Sequence, residues 1–190
     1  MELINSKLEG VFAIKLDTFK DARGFFRETF NEAHYNNLGV SNKFVQDNQS
    51  SSKKNVLRGM HFQIKKPQAQ LVTMISGEVF DVVVDLRKNS KTFMEWDGFY
   101  LSANATDFYQ QIYMPPGFAH GFCVLSESAD LHYKVSRIYD ATDENGFIWN
   151  DKTININWPI RDPIINKRDQ NFLKINELEA SELPNIKILL

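Results

Sequence analysis

Val56-Leu57-Arg58-Gly59-Met60-His61-Phe62-Gln63 is answered later in the chain by Pro115-Pro116-Gly117-Phe118-Ala119-His120-Gly121-Phe122. In both runs β-branched and aromatic side chains favour extended backbone. Glycine inside such a run marks a bulge or a close approach of two backbones. Each run also sets one histidine beside glycine in otherwise apolar sequence, a setting in which a folded protein holds an imidazole in a dry, shaped pocket.

Outward from these runs, Phe80-Asp81-Val82-Val83-Val84-Asp85-Leu86-Arg87 reads as a buried strand. Residues 82, 84 and 86 form one apolar row, and Asp81, Asp85 and Arg87 point to the other side with Val83, so a carboxylate is offered to one face. Residues 70–75 lead into it through Ser76-Gly77. Residues 10–19 and 25–30 read as a hairpin about Asp21-Ala22-Arg23-Gly24, and further strands are predicted at 44–50, 56–62, 93–101, 110–114, 118–125, 130–138 and 146–149. Many short strands with turn signals between them predict an all-β sandwich or barrel rather than βαβ units. Asn31 caps and Gly39 stops a short helix over 31–38, and residues 176–183 have helix-forming composition after an irregular, Pro-rich stretch at 158–172. No linker divides the chain, and residues 1–190 read as one domain.

Hydrophobic residues make up 43% and charged residues 24%, which predicts a folded chain. A net charge of -2 with scattered basic residues excludes the basic footprint of a nucleic-acid binder. Cys123 is the only cysteine, so there is neither an intrachain disulfide nor a cysteine-based zinc site, and it reads as a small buried side chain in a reducing compartment. Glu2, Lys7, Glu9 and Lys15 interrupt any signal-peptide core, and no stretch approaches a membrane span; a cytoplasmic location with no membrane partner is expected. Asn48-Gln49-Ser50 matches a glycosylation sequon that has no secretory context.

Alone, a histidine in an apolar strand is more often structural than catalytic, but two at glycine-flanked strand ends suit the mouth of a β-barrel, a common small-molecule site. Pro115-x-Gly117-x-x-His120 resembles the second signature motif of cupins, whose fold is a jelly roll or double-stranded β-helix. Metal-binding cupins place a histidine pair in the first motif. Here the second position of that pair is Gln63, and two histidines without a carboxylate at ligand spacing are a poor divalent-metal site, so neither metal nor cofactor is expected.

Asp21-x-Arg23-Gly24-x-Phe26, Gln46-Asp47-Asn48-x-Ser50, Leu57-Arg58-Gly59-x-His61, Gly77-Glu78-Val79-x-Asp81, Val84-Asp85-Leu86-Arg87, Gly117-Phe118-Ala119-His120-Gly121-Phe122, Tyr133-Lys134, Trp149-Asn150-Asp151 and Trp158-Pro159 resemble, in order, the dTDP-4-dehydrorhamnose 3,5-epimerase family. The resemblance implies a metal-free cupin homodimer. Its substrate would be a nucleotide-diphosphate-linked 4-keto-6-deoxy sugar, deprotonated beside the ketone and reprotonated on the opposite face at C3, C5 or both. It casts His61 as general base, Asp169 as the aspartate that fixes its tautomer and Tyr133 as general acid. Arg23 and Arg58 match diphosphate contacts, for which a guanidinium fork is suited. Phe26, Glu28, Gln46, Asn48, His120, Tyr139, Glu144 and Arg168 carry over as nucleotide or sugar contacts, with Arg168 in place of the family's more usual lysine and some contacts supplied by the partner subunit through exchanged N-terminal strands. Straight-strand parity puts Arg58 and His61 on opposite faces, so a bulge or kink at Gly59 is required for both to reach one ligand.

The chain departs from the family at Gln70, where the resemblance implies a lysine that stabilises the enolate oxygen. Losing one preorganised donor costs about 3 to 4 kcal/mol of transition-state stabilisation, and exchanging a cation for an amide costs part of that. Lys65, Lys66 or His120 are candidate replacements. The substitution leaves open C3-only epimerisation, a GDP-linked sugar or a 4-ketoheptose. It also leaves three other readings: a cupin ketoisomerase, a metal-dependent cupin enzyme, or a non-catalytic sugar-nucleotide binding protein.

Overall fold

The computed structural model describes residues 1–104 and 108–186. Its strands form two large antiparallel sheets and one two-stranded hairpin. The first is ordered β1 (Glu2–Asn5), β2 (Phe12–Lys15), β10 (Gln111–Met114), β7 (Gln70–Ser76), β12 (Ser128–Val135), β5 (Gln46–Lys53). The second is ordered β13 (Glu144–Gly146), β6 (Leu57–Gln63), β11 (Phe118–Val124), β8 (Glu78–Asp85), β9 (Trp96–Ser102). Val72, Met74, Ile112 and Leu131 of the first sheet pack with Val79, Val83, Leu101 and Phe122 of the second in one buried cluster, so the sheets face each other across the core. This is the all-β architecture expected from the strand pattern and the jelly roll implied by the cupin-like motif.

Strand β8 carries the predicted alternation. Val83 joins the core between the sheets, whereas Val82, Val84 and Leu86 pack outward against Phe147, Ile154 and Ile175 of the C-terminal segment. The second sheet is therefore apolar on both faces. At Ser76-Gly77 the chain crosses from one sheet to the other. Gly77 has φ +76°, and a Cβ there would lie 2.1 Å from the Ser128 carbonyl oxygen, so only glycine makes this turn.

Three expectations are corrected. Residues 10–19 do not form one strand: β2 joins the first sheet beside β1, which the sequence reading left out, and only β3 (Phe19–Asp21) pairs with β4 (Gly24–Phe26) in the hairpin. Residues 176–183 form no α-helix. Two 3-10 turns, Ile175–Glu177 and Ala180–Glu182, take its place, each closed by a glutamate that accepts the preceding backbone N–H. Within the stretch read as irregular, Asn166 caps a short helix, α2 (Lys167–Gln170). The helix expected after Asn31 is present as α1 (Glu32–Asn37), with the Asn31 side chain accepting from Ala33 and His34 N–H and Gly39 at φ +89° behind it. Among the described residues no helix is long and apolar enough to cross a membrane.

Candidate active site

β6 and β11 are neighbours, and His61 faces His120 across the ladder. Two residues on, the pairing is Phe122 with Arg58, so β6 carries one extra residue and the register shifts at Gly59. Gly59 has φ +128°, and a Cβ on it would lie 2.6 Å from Gly121 Cα. Glycine on both strands is what lets the backbones close over the irregularity. The shift undoes straight-strand parity as expected, and Arg58 and His61 line the same cavity of about 310 Å³.

The facing sheet supplies Asn48, Gln70 and Tyr133 to that cavity, while Tyr139, Glu144 and Arg168 contribute from the loop after β12, from β13 and from α2. His61 Nε2 lies 2.9 Å from Asp169 Oδ2, and the imidazole meets the edge of the Phe172 ring at 5.8 Å. Asp169 is wholly buried and also accepts from the Gly59 N–H at 3.2 Å and from Arg168 Nε at 3.1 Å. Burial raises its pKa, but His61, the Gly59 N–H and Arg168 outweigh burial and leave the carboxyl below its ordinary range.

His120 has a carboxylate of its own: Nε2 lies 2.8 Å from Asp81 Oδ2 in a buried pair. Burial pushes the Asp81 carboxyl upward against the pull of His120. On the opposite wall the Tyr133 hydroxyl meets Ser50 Oγ at 2.8 Å. Its pKa is raised chiefly by burial, helped by Asp81 and opposed by Ser50 and Arg58, so it stays a neutral phenol across the physiological range. Arg58 Nε donates to Ser52 Oγ at 3.0 Å and Nη2 to the Ser51 carbonyl at 3.3 Å, which ties the guanidinium to β5 at the cavity wall.

Gln46 donates to the Asn48 side chain at 2.7 Å and accepts from Tyr139 N–H, bracing that wall. The Tyr139 hydroxyl donates to Glu144 at 3.0 Å, and Glu144 also receives Arg168 in a very short contact. Gln63 turns away from both histidines and donates to the Asp140 carbonyl, a structural use. Lys65 and Lys66 do not line the cavity; Asp143 accepts both of their backbone N–H groups, and Lys66 Nζ turns to Asp140. Neither lysine replaces the missing cation at position 70.

Arg23, Phe26 and Glu28 do not reach the cavity of their own chain. Arg23 pairs with Asp21 on the hairpin at 2.6 Å, Phe26 is 71% exposed, and Phe26 and Glu28 border a separate cavity of about 510 Å³ near the N-terminus. Conversely, Asp81 and Ser50 contact catalytic candidates without having been assigned a role. Both stand in the motifs that carry the resemblance, and Asp81 also left a signal of its own as an inward-facing carboxylate in an apolar strand.

Comparison with known proteins gives the family and the fold. A family model described as dTDP-4-dehydrorhamnose 3,5-epimerase matches residues 5–177. The chain is 45% identical over 178 residues to the dTDP-4-dehydrorhamnose 3,5-epimerase of Methanothermobacter thermautotrophicus, covering 92% of this chain and 94% of that one. To the dTDP-4-dehydrorhamnose 3-epimerase of Streptomyces niveus it is 37% identical over 180 residues, covering 93% and 86%. Its fold matches the crystal structure of the dTDP-6-deoxy-D-glucose-3,5-epimerase of Legionella pneumophila, solved with dTDP-4-keto-L-rhamnose, with a TM-score of 0.91 at 39% identity over 97% of each chain. The chain therefore belongs to the dTDP-4-dehydrorhamnose 3,5-epimerase family and is an enzyme of the isomerase class.

Proposed function

We propose that this chain, acting as one domain, inverts C3, C5 or both of a dTDP-linked 4-keto-6-deoxy sugar, with His61 as base and Tyr133 as acid. The observation that carries the reading is their placement on facing sheets of one cavity. Inversion needs a proton to leave one face of a carbon and another to arrive on the opposite face, and two walls supply the two groups.

His61 takes the proton beside the ketone, and the electron pair moves onto the C4 oxygen as an enolate. Tyr133 then gives its hydroxyl proton to the other face of the same carbon. His61 is left protonated and Tyr133 ionised, and exchange with water resets both. Asp169 orients His61 and balances its charge. Gln70 and His120 are the donors for the enolate oxygen, Arg58 and Arg168 hold the diphosphate, and Gln46, Asn48, Tyr139 and Glu144 shape the sugar and nucleotide sites.

In one chain the cavity and the carboxylates packed directly behind it set Arg58 and Arg168 against Glu144, Asp81 and Asp169. That is a poor field for a diphosphate. In a homodimer the β3–β4 hairpin, with Phe19, Phe25 and Phe26 exposed, reaches into the partner and delivers Arg23, Phe26 and Glu28 to its cavity, so that a further guanidinium meets the diphosphate although Glu28 leaves the net charge as it was. Patches of exposed aromatics at a hairpin tip are what an interface covers.

Incubation with dTDP-4-keto-6-deoxyglucose in deuterated water, followed by NMR, is expected to give deuterium at C3 and C5 and inverted product. Exchange confined to C3 favours the narrower reaction named for the Streptomyces niveus relative. No exchange with any dTDP-, GDP- or ketoheptose-linked substrate would sink the reading.

A further inference from the structure

Two groups contend for one nitrogen of His61. Asp169 Oδ2 lies 2.9 Å from Nε2, and Arg168 Nη2 lies 3.0 Å from the same atom. A ring nitrogen has a single in-plane position and either donates through its proton or accepts through its lone pair. A guanidinium only donates, and an ionised carboxylate only accepts. The neutral ring therefore satisfies Asp169 with the proton on Nε2, or Arg168 with the proton on Nδ1, and never both. The choice decides its chemistry. Among the described residues Nδ1 has no partner, so a proton on Nε2 leaves Nδ1 as a free lone pair, whereas a proton on Nδ1 blocks the base.

The two contenders differ in freedom. Asp169 is wholly buried and is pinned by the Gly59 N–H. The Arg168 side chain is 50% exposed and lies over the Phe172 ring at 5.6 Å, tied to Glu144 and to the other oxygen of Asp169. Arg168 and Arg58 are the arginines lining the cavity, so an entering diphosphate pulls on this guanidinium through paired charge-assisted bonds.

We propose that Arg168 is a positioning residue that sets the tautomer of His61. In the empty site it holds a share of the rings with Nε2 as acceptor. A diphosphate that draws the guanidinium away hands Nε2–H to Asp169 and frees Nδ1, so the base is armed only with ligand in place. The role of Nδ1 as base rests on the epimerase reading above; the tautomer equilibrium does not.

Long-range ¹H–¹⁵N correlation spectra of protein carrying ¹⁵N-histidine distinguish the two tautomers, and His61→Asn assigns the His61 signals. In the wild type the empty site is expected to contain a resolved Nδ1–H population that saturating dTDP converts to Nε2–H. Arg168→Met, which cannot donate, is expected to show Nε2–H with and without dTDP. Asp169→Asn, whose amide can donate, is expected to hold Nδ1–H in both. Wild-type spectra identical with and without dTDP overturn the proposal, as do identical spectra for empty wild type and Arg168→Met. Failure of the epimerase reading would appear separately, as absent deuterium exchange, and would leave these spectra unchanged.

Discussion

Two histidines face each other across β6 and β11, each with Nε2 on an aspartate at nearly the same distance, 2.9 Å for His61 to Asp169 and 2.8 Å for His120 to Asp81. Their surroundings are opposite. Against burial, His61 itself, then a backbone N–H and an arginine hold the Asp169 carboxyl low, and the His61 side chain keeps 23% of its surface. Asp81 has His120 alone among the described residues, and burial pushes its carboxyl up. A carboxylate held ionised favours the ring with its proton on Nε2, which leaves a lone pair at Nδ1, the requirement of a base. Burial without a second partner weakens Asp81 as an acceptor, and in the proposed reaction His120 serves instead as a donor to the enolate. One geometry thus yields two functions because the second partners of the carboxylates differ.

Alanine in place of each histidine separates the two pairs. His61→Ala is expected to slow deuterium exchange into substrate by about 10²–10⁴-fold, the range for a lost general base, while urea unfolding changes little because Asp169 keeps Gly59 and Arg168. His120→Ala strips a buried carboxylate of its partner and is expected to cost about 3–5 kcal/mol of unfolding free energy, with the smaller loss of exchange. If His120→Ala abolished exchange at unchanged stability, the assignment of base and donor would be reversed.

Position 70 tests the donor side. The Gln70 side chain lines the cavity between the two sheets, and Gln70→Ala is expected to lower kcat by about 10²–10³-fold with KM nearly unchanged, as for a lost oxyanion donor. Gln70→Lys brings a full charge to the same place and is expected to exceed the wild-type kcat. If both variants matched the wild type, His120 would be carrying the enolate oxygen unaided.

Much of this site was legible because strand chemistry is local. Period-two alternation located β8, Asn31 and Gly39 marked α1, and the parity conflict between Arg58 and His61 demanded the irregularity found at Gly59. What escaped depends on contacts between distant segments. Helix α2 spans four residues, too short for a periodic signal, yet its capping by Asn166 sets Arg168 and Asp169 against His61. Residues 176–183 compose like a helix, but Ile175 and Leu183 both bury against the outer face of the second sheet, and the chain breaks into separate turns between them. Arg23, Phe26 and Glu28 fit the family motif and still lie outside the cavity of their own chain, because a motif names residue types and not the distance between the segments that carry them.

The smallest effect follows from the opposite pKa directions of the two aspartates. Asp169 is depressed in the folded state, so its ionised form stabilises the fold above the unfolded carboxylate value, about 3.9, and that stability is lost as pH falls through the lower folded value. Asp81 is raised, so its contribution is fullest below the unfolded value and declines as pH climbs through the higher folded one. Between pH 7 and pH 3 the two slopes oppose each other. Asp169→Asn is therefore expected to flatten the acid limb of a stability curve, and Asp81→Asn to steepen it, each relative to the wild type in urea titrations at fixed ionic strength. Parallel changes in both variants would mean that the two carboxyls sit in equivalent electrostatic settings, and the division of labour between His61 and His120 would then have to come from the substrate instead.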